Sequence, residues 1–227
     1  MKRDGNNKSL WQDLPDYISK ESLLPEVTYD VVIVGGGMTG VVAALLLQKA
    51  GKKCLLAEAH SLGFGTTGGT TAHLNTLLDT PYTTITKNFG SEASKTVARA
   101  ASEAIGLIEK HVNLYIIQCH FSRTDAYLFS QEKKESNELD DIYQASLEAG
   151  VALKYVKNIP IAAHFEKAIQ IEEQAMFHPT KYLFALAKEF ERLGGTIQTN
   201  CKVENVKEGE NGIIIETSTA TFKSDKI

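Results

Sequence analysis

The chain has 227 residues, of which 43% are hydrophobic and 23% charged, and its formal net charge is −4. This composition is ordinary for a soluble globular protein, and without a basic stripe it argues against a nucleic-acid partner. No apolar run approaches the roughly 20 residues that a membrane-spanning helix needs. Cys54, Cys119 and Cys201 form no C-x-x-C pair, which favours free thiols and a cytoplasmic location over a disulfide framework or a metal site.

The first part of the chain predicts a short arm followed by a strand–helix–strand unit. Residues 1–28 are largely polar, contain the sole tryptophan, Trp11, and are interpreted as an N-terminal arm. Residues 30–34 are an apolar strand, residues 41–51 continue an apolar helix, and residues 54–57 form a second strand. An α/β fold with a parallel sheet follows from this order of elements.

The turn between the first strand and the helix carries three glycines in the pattern G-x-G-x-x-G. Gly35 permits the tight turn, Gly37 lets the backbone approach a pyrophosphate, and Gly40 lets the helix pack against the strand. The helix then presents free N–H groups and its positive dipole end to the phosphates. Glu58, at the end of the second strand, predicts a carboxylate that accepts hydrogen bonds from ribose hydroxyls. Together these features predict a dinucleotide site.

A loop of glycine and hydroxyl residues follows Glu58, over residues 63–73. One interpretation is a flexible linker, although linkers are more often rich in serine or proline. The favoured interpretation is a loop of small residues whose backbone lies close to a bound cofactor. Thr70 and Thr71 then contact phosphate groups or ring edges.

The remaining pattern predicts alternating helices and strands. Helices are predicted over residues 81–89, from 92 to about 112, over 133–150, and from the His178-Pro179 pair to residue 192. Strands are predicted at residues 116–117, 126–129, 151–156, 168–171, 196–199, 203–206, 213–215 and 220–222, the last two as a hairpin.

Several of these stretches together resemble a known family. The chain is similar to the FAD-dependent oxidoreductases of the D-amino-acid oxidase superfamily, which includes glycine oxidase and sarcosine oxidase. It most resembles a branch that often carries a C-terminal Rieske iron–sulfur domain. The stretches that carry the resemblance are residues 9–11, 32–40 with 58–59, 65–72, 104–108, 119–123 with 126–128, 177–183 and 195–203.

The resemblance implies FAD as the cofactor and assigns it a set of residues. In the family the glycine turn holds the pyrophosphate, the acid holds the adenosine ribose, the threonine loop runs beside the flavin, and backbone at the position of Val203 contacts the adenine. The predicted cofactor-binding residues are Gly35, Gly37, Met38, Thr39, Gly40, Glu58, Ala59, Thr66, Thr67, Thr70, Thr71 and Val203.

The family reaction implies an enzyme that oxidises a C–N bond of an amine or amino acid. Hydride passes from the substrate carbon to the flavin, and the resulting imine is hydrolysed. The substrate is therefore expected to be a small amine or amino acid. The sequence leaves the electron acceptor and the oligomeric state open. Two alternatives also remain: a non-catalytic flavin-binding fragment or truncation product, and an NAD-dependent dehydrogenase. The threonine loop favours FAD over NAD.

The resemblance also predicts the domain organisation. The FAD-binding domain is expected to be discontinuous, over about 29–80 and 175–227, with an inserted partial substrate region over about 81–174. No pair of Rieske ligand motifs is present, since Cys119 and His120 are adjacent. In family members later sequence completes the FAD domain and much of the substrate pocket, so we expect this chain to be the N-terminal portion of a longer enzyme.

Three further side chains are candidates for single roles. His73 and His178 lie near the predicted cofactor loop and a helix start, where a capping or hydrogen-bonding role is favoured over catalysis. Arg123 is a candidate cation for a substrate carboxylate, although a structural ion pair is the favoured alternative. No catalytic residue and no metal ligand is assigned from the sequence.

Overall fold

A computed structural model describes residues 8–20, 27–209 and 212–227. A 3-10 turn spans Leu10–Gln12. The helices are Met38–Lys49 (α1), Thr66–Gly69 (α2), Tyr82–Phe89 (α3), Ser91–Leu114 (α4), Lys133–Ala149 (α5) and Pro179–Arg192 (α6). The strands are Thr28–Val34 (β1), Cys54–Ala57 (β2), His73–Leu74 (β3), Ser122–Ser130 (β4), Leu153–Val156 (β5), Lys167–Met176 (β6), Thr196–Gln198 (β7), Val203–Gly209 (β8), Gly212–Thr217 (β9) and Thr221–Lys226 (β10).

The chain divides into two compact units. The first contains the described residues up to Thr71 together with His178–Ile227, and the second is Ala72–Phe177. The first unit therefore combines the two ends of the chain, because its sheet takes strands from both.

The first unit is built on a six-stranded sheet in the order β7-β2-β1-β10-β9-β8. β7, β2, β1 and β10 are parallel neighbours, and β9 and β8 extend the sheet as antiparallel strands. The buried cluster of its strands contains Tyr29, Val32, Leu55, Ala57, Cys201, Ile215 and Phe222. Helix α1 packs against α6, and the Gln48 amide donates to the Leu193 carbonyl at 3.0 Å. The predicted α/β fold with a parallel sheet and flanking helices is confirmed.

The second unit is an antiparallel sheet backed by helices. β6 pairs with β4 along one edge, and with β3 and β5 along the other. Helices α3, α4 and α5 pack together, and its buried cluster contains Tyr82, Ile85, Ala98, Leu139, Ala149, Val151, Ile169 and Ile171. In α4, Ala98 and Ile105 are both buried at helical spacing. Phe89, Leu114 and Leu147, near the ends of the three helices, are exposed.

One predicted strand is wrong. Residues 116–117 follow the end of α4, where Ile116 has a φ of 52° and the Ile117 N–H donates to the Val112 carbonyl at 2.9 Å. This is the pattern of a helix C-cap whose residue after the helix is left-handed. The two isoleucines resemble a strand in sequence, but the helix end uses their backbone groups, and Ile116 is 78% exposed.

Candidate cofactor site

The glycine turn joins β1 to α1 by a path that alanine cannot follow. Gly35 has a φ of +104°, in the region that favours glycine, and its N–H donates to the Ala57 carbonyl at 2.8 Å. A Cβ on Gly40 would lie 1.9 Å from the Gly35 carbonyl oxygen. The first and third glycines are therefore required by the turn itself.

The second glycine borders the start of helix α1. Gly37 is the N-cap in extended backbone, without a side-chain cap, and the first turn of α1 contains no acidic residue. The Met38 N–H donates to the Thr67 hydroxyl at 3.0 Å, while Thr39 is exposed on the same turn. The positive end of the α1 dipole is therefore not neutralised by a carboxylate within the first turn of the helix.

Glu58 follows β2 beside this turn. One carboxylate oxygen accepts from the Gly36 N–H at 2.6 Å and the other accepts from the His60 N–H at 2.8 Å. Glu58 and its neighbour Ala59 are both half-buried. Each carboxylate oxygen retains a further lone pair, so Glu58 is fixed by backbone donors and can still accept from a ligand hydroxyl.

The threonine loop is more ordered than its composition suggests, because residues 66–69 form the one-turn helix α2. Besides the Thr67 bond to α1, the Gly63 N–H donates to the Gly36 carbonyl at 3.0 Å. Thr66 and Thr71 are exposed, and Thr70 is half-buried. The structure thus brings Thr67 to the glycine turn, whereas the Thr66 and Thr71 side chains face solvent.

Val203 lies at the start of β8, packed against the buried strand cluster of the first unit. The Cys201 N–H, two residues earlier, donates to the Glu58 carbonyl at 2.8 Å, and the Glu58 N–H donates to the Gln198 carbonyl at 2.8 Å. The segment that leads into Val203 is therefore tied to the backbone of Glu58.

The N-terminal arm contributes contacts that sequence reasoning missed. The Trp11 indole N–H donates to the Thr70 carbonyl at 2.7 Å, and the Ser9 hydroxyl donates to the Gly68 carbonyl. The Trp11 ring meets the His178 ring edge-on, with 5.0 Å between centroids. The polar composition of the arm gave no signal for these contacts; the lone tryptophan was the only hint.

The two histidine candidates have different surroundings. His178 is the N-cap of α6, and its Nδ1 accepts from the Lys181 N–H at 3.4 Å. His73 lies exposed in β3 of the second unit. The capping role favoured for His178 is therefore what the structure shows.

Arg123 forms an ion pair within the second unit. Its guanidinium lies 2.5 Å from the Glu109 carboxylate and also donates to the Glu173 carbonyl at 2.7 Å. The hydrogen bond from Arg123 holds the pKa of Glu109 below its usual value. Arg123 is about one-third exposed, so the structural ion pair, and not a buried cation awaiting a carboxylate, describes it.

A second contact of the arm predicts a pH dependence of stability. The Tyr17 hydroxyl donates to the Glu191 carboxylate at 2.6 Å. Burial, then the bond to Glu191, raises the pKa of Tyr17 far above its ordinary value of 10.0. Because the unfolded tyrosine ionises near pH 10 and the folded one does not, its contribution to stability is complete below pH 10 and is lost as pH rises further.

The wild-type chain should therefore lose more stability than Tyr17→Phe between pH 9 and pH 11. The expected difference is about 1.4 kcal/mol at pH 11, or roughly 3–6 °C in melting temperature. Thermal melts followed by circular dichroism at both pH values measure it. Tyr127→Phe, which removes a hydroxyl from the second unit, is the control. Equal alkaline losses in the wild type and Tyr17→Phe would contradict the assignment.

The described residues contain neither a metal-binding cluster nor a membrane-spanning helix. No cluster of three or more histidine, cysteine, aspartate or glutamate side chains there is arranged to hold a metal ion. None of the helices in those residues is long and apolar enough to cross a membrane.

The family model for FAD-dependent oxidoreductases, DAO, matches residues 30–226. This match contains the glycine turn, Glu58, the threonine loop and Val203. The chain belongs to the FAD-dependent oxidoreductase family. The cofactor of the family is FAD, as predicted, and membership decides against the NAD-dependent alternative.

Two curated relatives extend this result. The chain is 30% identical over 217 residues to YhfW of Bacillus subtilis, which carries the name of a Rieske 2Fe-2S iron–sulfur protein; the match covers 96% of this chain and 43% of that one. It is 27% identical over 118 residues to gamma-glutamylputrescine oxidoreductase of Escherichia coli, covering 52% and 28% of the two chains. The chain spans less than half the length of either relative.

A solved structure supports the fold of this FAD-dependent oxidoreductase chain. Glycine oxidase from Geobacillus kaustophilus superposes with a TM-score of 0.70 at 18% identity, covering 87% of this chain and 54% of that one. At 18% sequence identity, this structural similarity establishes the fold alone.

The residues around the glycine turn fit FAD. A Cβ built on Gly35 meets nothing within 4 Å, and one built on Gly37 meets Thr67 Oγ1 first, at 3.3 Å. The backbone at Gly35 therefore borders open space, whereas a side chain at Gly37 would crowd the Thr67 hydroxyl. Backbone donors, an uncapped helix start and a fixed carboxylate are the donor and acceptor set that a dinucleotide requires.

Proposed function

We propose that this chain forms the FAD-binding part of an enzyme that oxidises the C–N bond of a small amine or amino acid. The observation that carries the proposal is the glycine turn, open at Gly35, with Glu58 fixed beside it and Thr67 bonded to the start of α1. The names of gamma-glutamylputrescine oxidoreductase and glycine oxidase support an amine or amino-acid substrate.

The cofactor roles in this proposal combine the geometry of the glycine turn with the roles that the family resemblance implies. The Gly35–Gly40 turn and the start of α1, including Met38 and Thr39, would hold the pyrophosphate. Glu58 and Ala59 would border the ribose, backbone at Val203 the adenine, and the loop from Thr66 to Thr71 the flavin. Bound FAD would supply the hydride acceptor, and the chain's own residues bind and orient it.

The domain roles are part of the same proposal. The first unit, built from both ends of the chain, would be the FAD-binding domain, with residues 1–28 as its arm. The inserted region, predicted at about 81–174, would contribute to the substrate pocket. A reducing cytoplasm suits the three buried cysteines, which form no disulfide. Burial raises the pKa of the Cys54 thiol to about 11, which keeps it protonated.

The test is the visible spectrum of the purified chain before and after addition of FAD, followed by gel filtration. A flavin spectrum that elutes with the protein is expected, and it should bleach anaerobically on addition of an amine or amino acid such as glycine. Gly37→Ala is the matched variant: its extended backbone is compatible with alanine, but the new methyl group would lie 3.3 Å from Thr67 Oγ1 at the start of α1, so it should fold and retain little flavin.

The outcomes separate the alternatives. Retained flavin that no amine or amino acid bleaches would identify a non-catalytic flavin-binding fragment. Equal flavin retention by the wild type and Gly37→Ala would place the cofactor elsewhere and overturn the proposed site.

A further inference from the structure

The N-terminal arm crosses the threonine loop and is bonded to it at two points. The Trp11 indole N–H donates to the Thr70 carbonyl at 2.7 Å, and the Ser9 hydroxyl donates to the Gly68 carbonyl. Both acceptors are backbone groups of the loop. The arm therefore constrains the path of the loop without requiring any particular loop side chain.

The arm has its own hydrogen bonds where it contacts the loop. Ser9 and Gln12 form a capping box around the 3-10 turn, in which the Ser9 hydroxyl accepts from the Trp11 N–H at 3.2 Å and the Gln12 side chain accepts from the Ser9 N–H at 3.1 Å. The Trp11 ring is also set edge-on against His178, the N-cap of α6. Because Trp11 is fixed on two sides, its N–H is held in place for Thr70.

Close packing joins the arm and the loop at Gly68. A Cβ there would lie 2.6 Å from the Gly63 carbonyl oxygen and 2.9 Å from the Gln12 side-chain nitrogen. The loop can approach the arm this closely because glycine has no side chain. The same glycines give the free loop many conformations, so ordering it costs conformational entropy.

The opposite side of the loop bonds to the candidate cofactor site, where the Thr67 hydroxyl accepts from the Met38 N–H at 3.0 Å. The loop is thus held between the start of α1 and the arm. Thr67 bonds to the start of α1, and Gly68 and Thr70 bond to the arm.

We propose that Trp11 and Ser9 are positioning residues that hold the threonine loop in the conformation in which it borders FAD. The loop's role toward FAD rests on the proposed function. The positioning itself concerns only contacts within the chain and can be measured without cofactor.

The experiment measures amide hydrogen exchange in the FAD-free full chain. In Trp11→Phe, which keeps an aromatic ring against His178 but loses the N–H donor, exchange at residues 66–71 and at Met38 should be about five- to tenfold faster. This factor corresponds to one lost net hydrogen bond. Ser9→Ala should act in the same direction. Exchange in β2 should stay unchanged, which shows that the variants fold.

Leu10→Ala is the matched control, because Leu10 lies in the same turn and is 82% exposed. It should exchange like the wild type. Unchanged exchange at residues 66–71 in both Trp11→Phe and Ser9→Ala would overturn the proposal, whatever the flavin result.

FAD titrations of the same variants separate this proposal from the proposed function. If the wild type binds FAD, Trp11→Phe should bind it about five- to tenfold more weakly, and equal affinity would overturn the role toward the cofactor. If the wild type binds no FAD, the proposed function of this chain fails, and the exchange rates alone decide whether the arm positions the loop.

Discussion

Replacing Gly40 with alanine is expected to destabilise the first unit strongly and to abolish flavin binding. The new Cβ would lie 1.9 Å from the Gly35 carbonyl oxygen and 3.5 Å from the Ile33 side chain. A backbone carbonyl cannot yield as a flexible side chain can, so β1 and α1 must move apart. The expected loss is roughly 3 kcal/mol, or roughly 6–12 °C in melting temperature for a chain of this size.

Thermal melts followed by circular dichroism measure this loss, and two variants control it. Thr39→Ala changes the exposed neighbour on the same helical turn and should melt like the wild type. Gly106→Ala adds a methyl group within α4 where nothing lies within 4 Å, so it should raise stability by about 0.5–1 kcal/mol. If Gly40→Ala and Thr39→Ala had the same melting temperature, the turn would relax easily around the new methyl group. The close contact with the Gly35 carbonyl would then not limit stability.

Replacing Glu58 with glutamine is expected to weaken FAD binding by roughly ten- to hundredfold. Both carboxylate oxygens accept backbone N–H groups, from Gly36 and His60, and glutamine supplies only one acceptor oxygen. One of these N–H groups loses its partner, and the ribose loses a charged acceptor. Hydrogen bonds to charged groups contribute roughly 1.5–3 kcal/mol, which gives this range of affinity.

The measurement is a titration of FAD fluorescence, with melts of the free chain alongside. Stability should fall by about 1–2 kcal/mol because of the unpaired N–H. Glu208→Gln makes the same change of charge at an exposed position of β8 in the same unit and should bind FAD like the wild type. If Glu58→Gln and Glu208→Gln bound FAD with equal affinity, Glu58 would not be a cofactor-binding residue.

The sequence was most informative where function depends on neighbouring residues. Strand, turn, helix and second strand follow one another from Thr28 to Ala57 as predicted, since hydrophobic periodicity and glycine position encode local backbone structure directly. The acid at the end of β2 could be predicted for the same reason: the strand's length places Glu58 beside the turn. The cofactor roles of the glycine turn and Glu58 remain predictions, as do those of the residues assigned by the family resemblance.

The sequence was less informative about segments whose conformation depends on a partner. Residues 116–117 resemble a strand, yet the end of α4 takes their backbone groups. Arg123 was a candidate for a substrate carboxylate until the fold placed Glu109 against it. Periodicity reports which face of an element is apolar, but it does not report which charged side chain lies opposite.

By itself, the sequence determined the family, the cofactor and the local path of the chain around the glycine turn. The tertiary structure decided that β10, from the far end of the chain, lies beside β1. It also decided that Trp11 and Ser9 bond to the threonine loop and that Tyr17 bonds to Glu191. These contacts join residues distant in sequence, and only the packing of the whole unit selects them, because no local pattern specifies a distant partner.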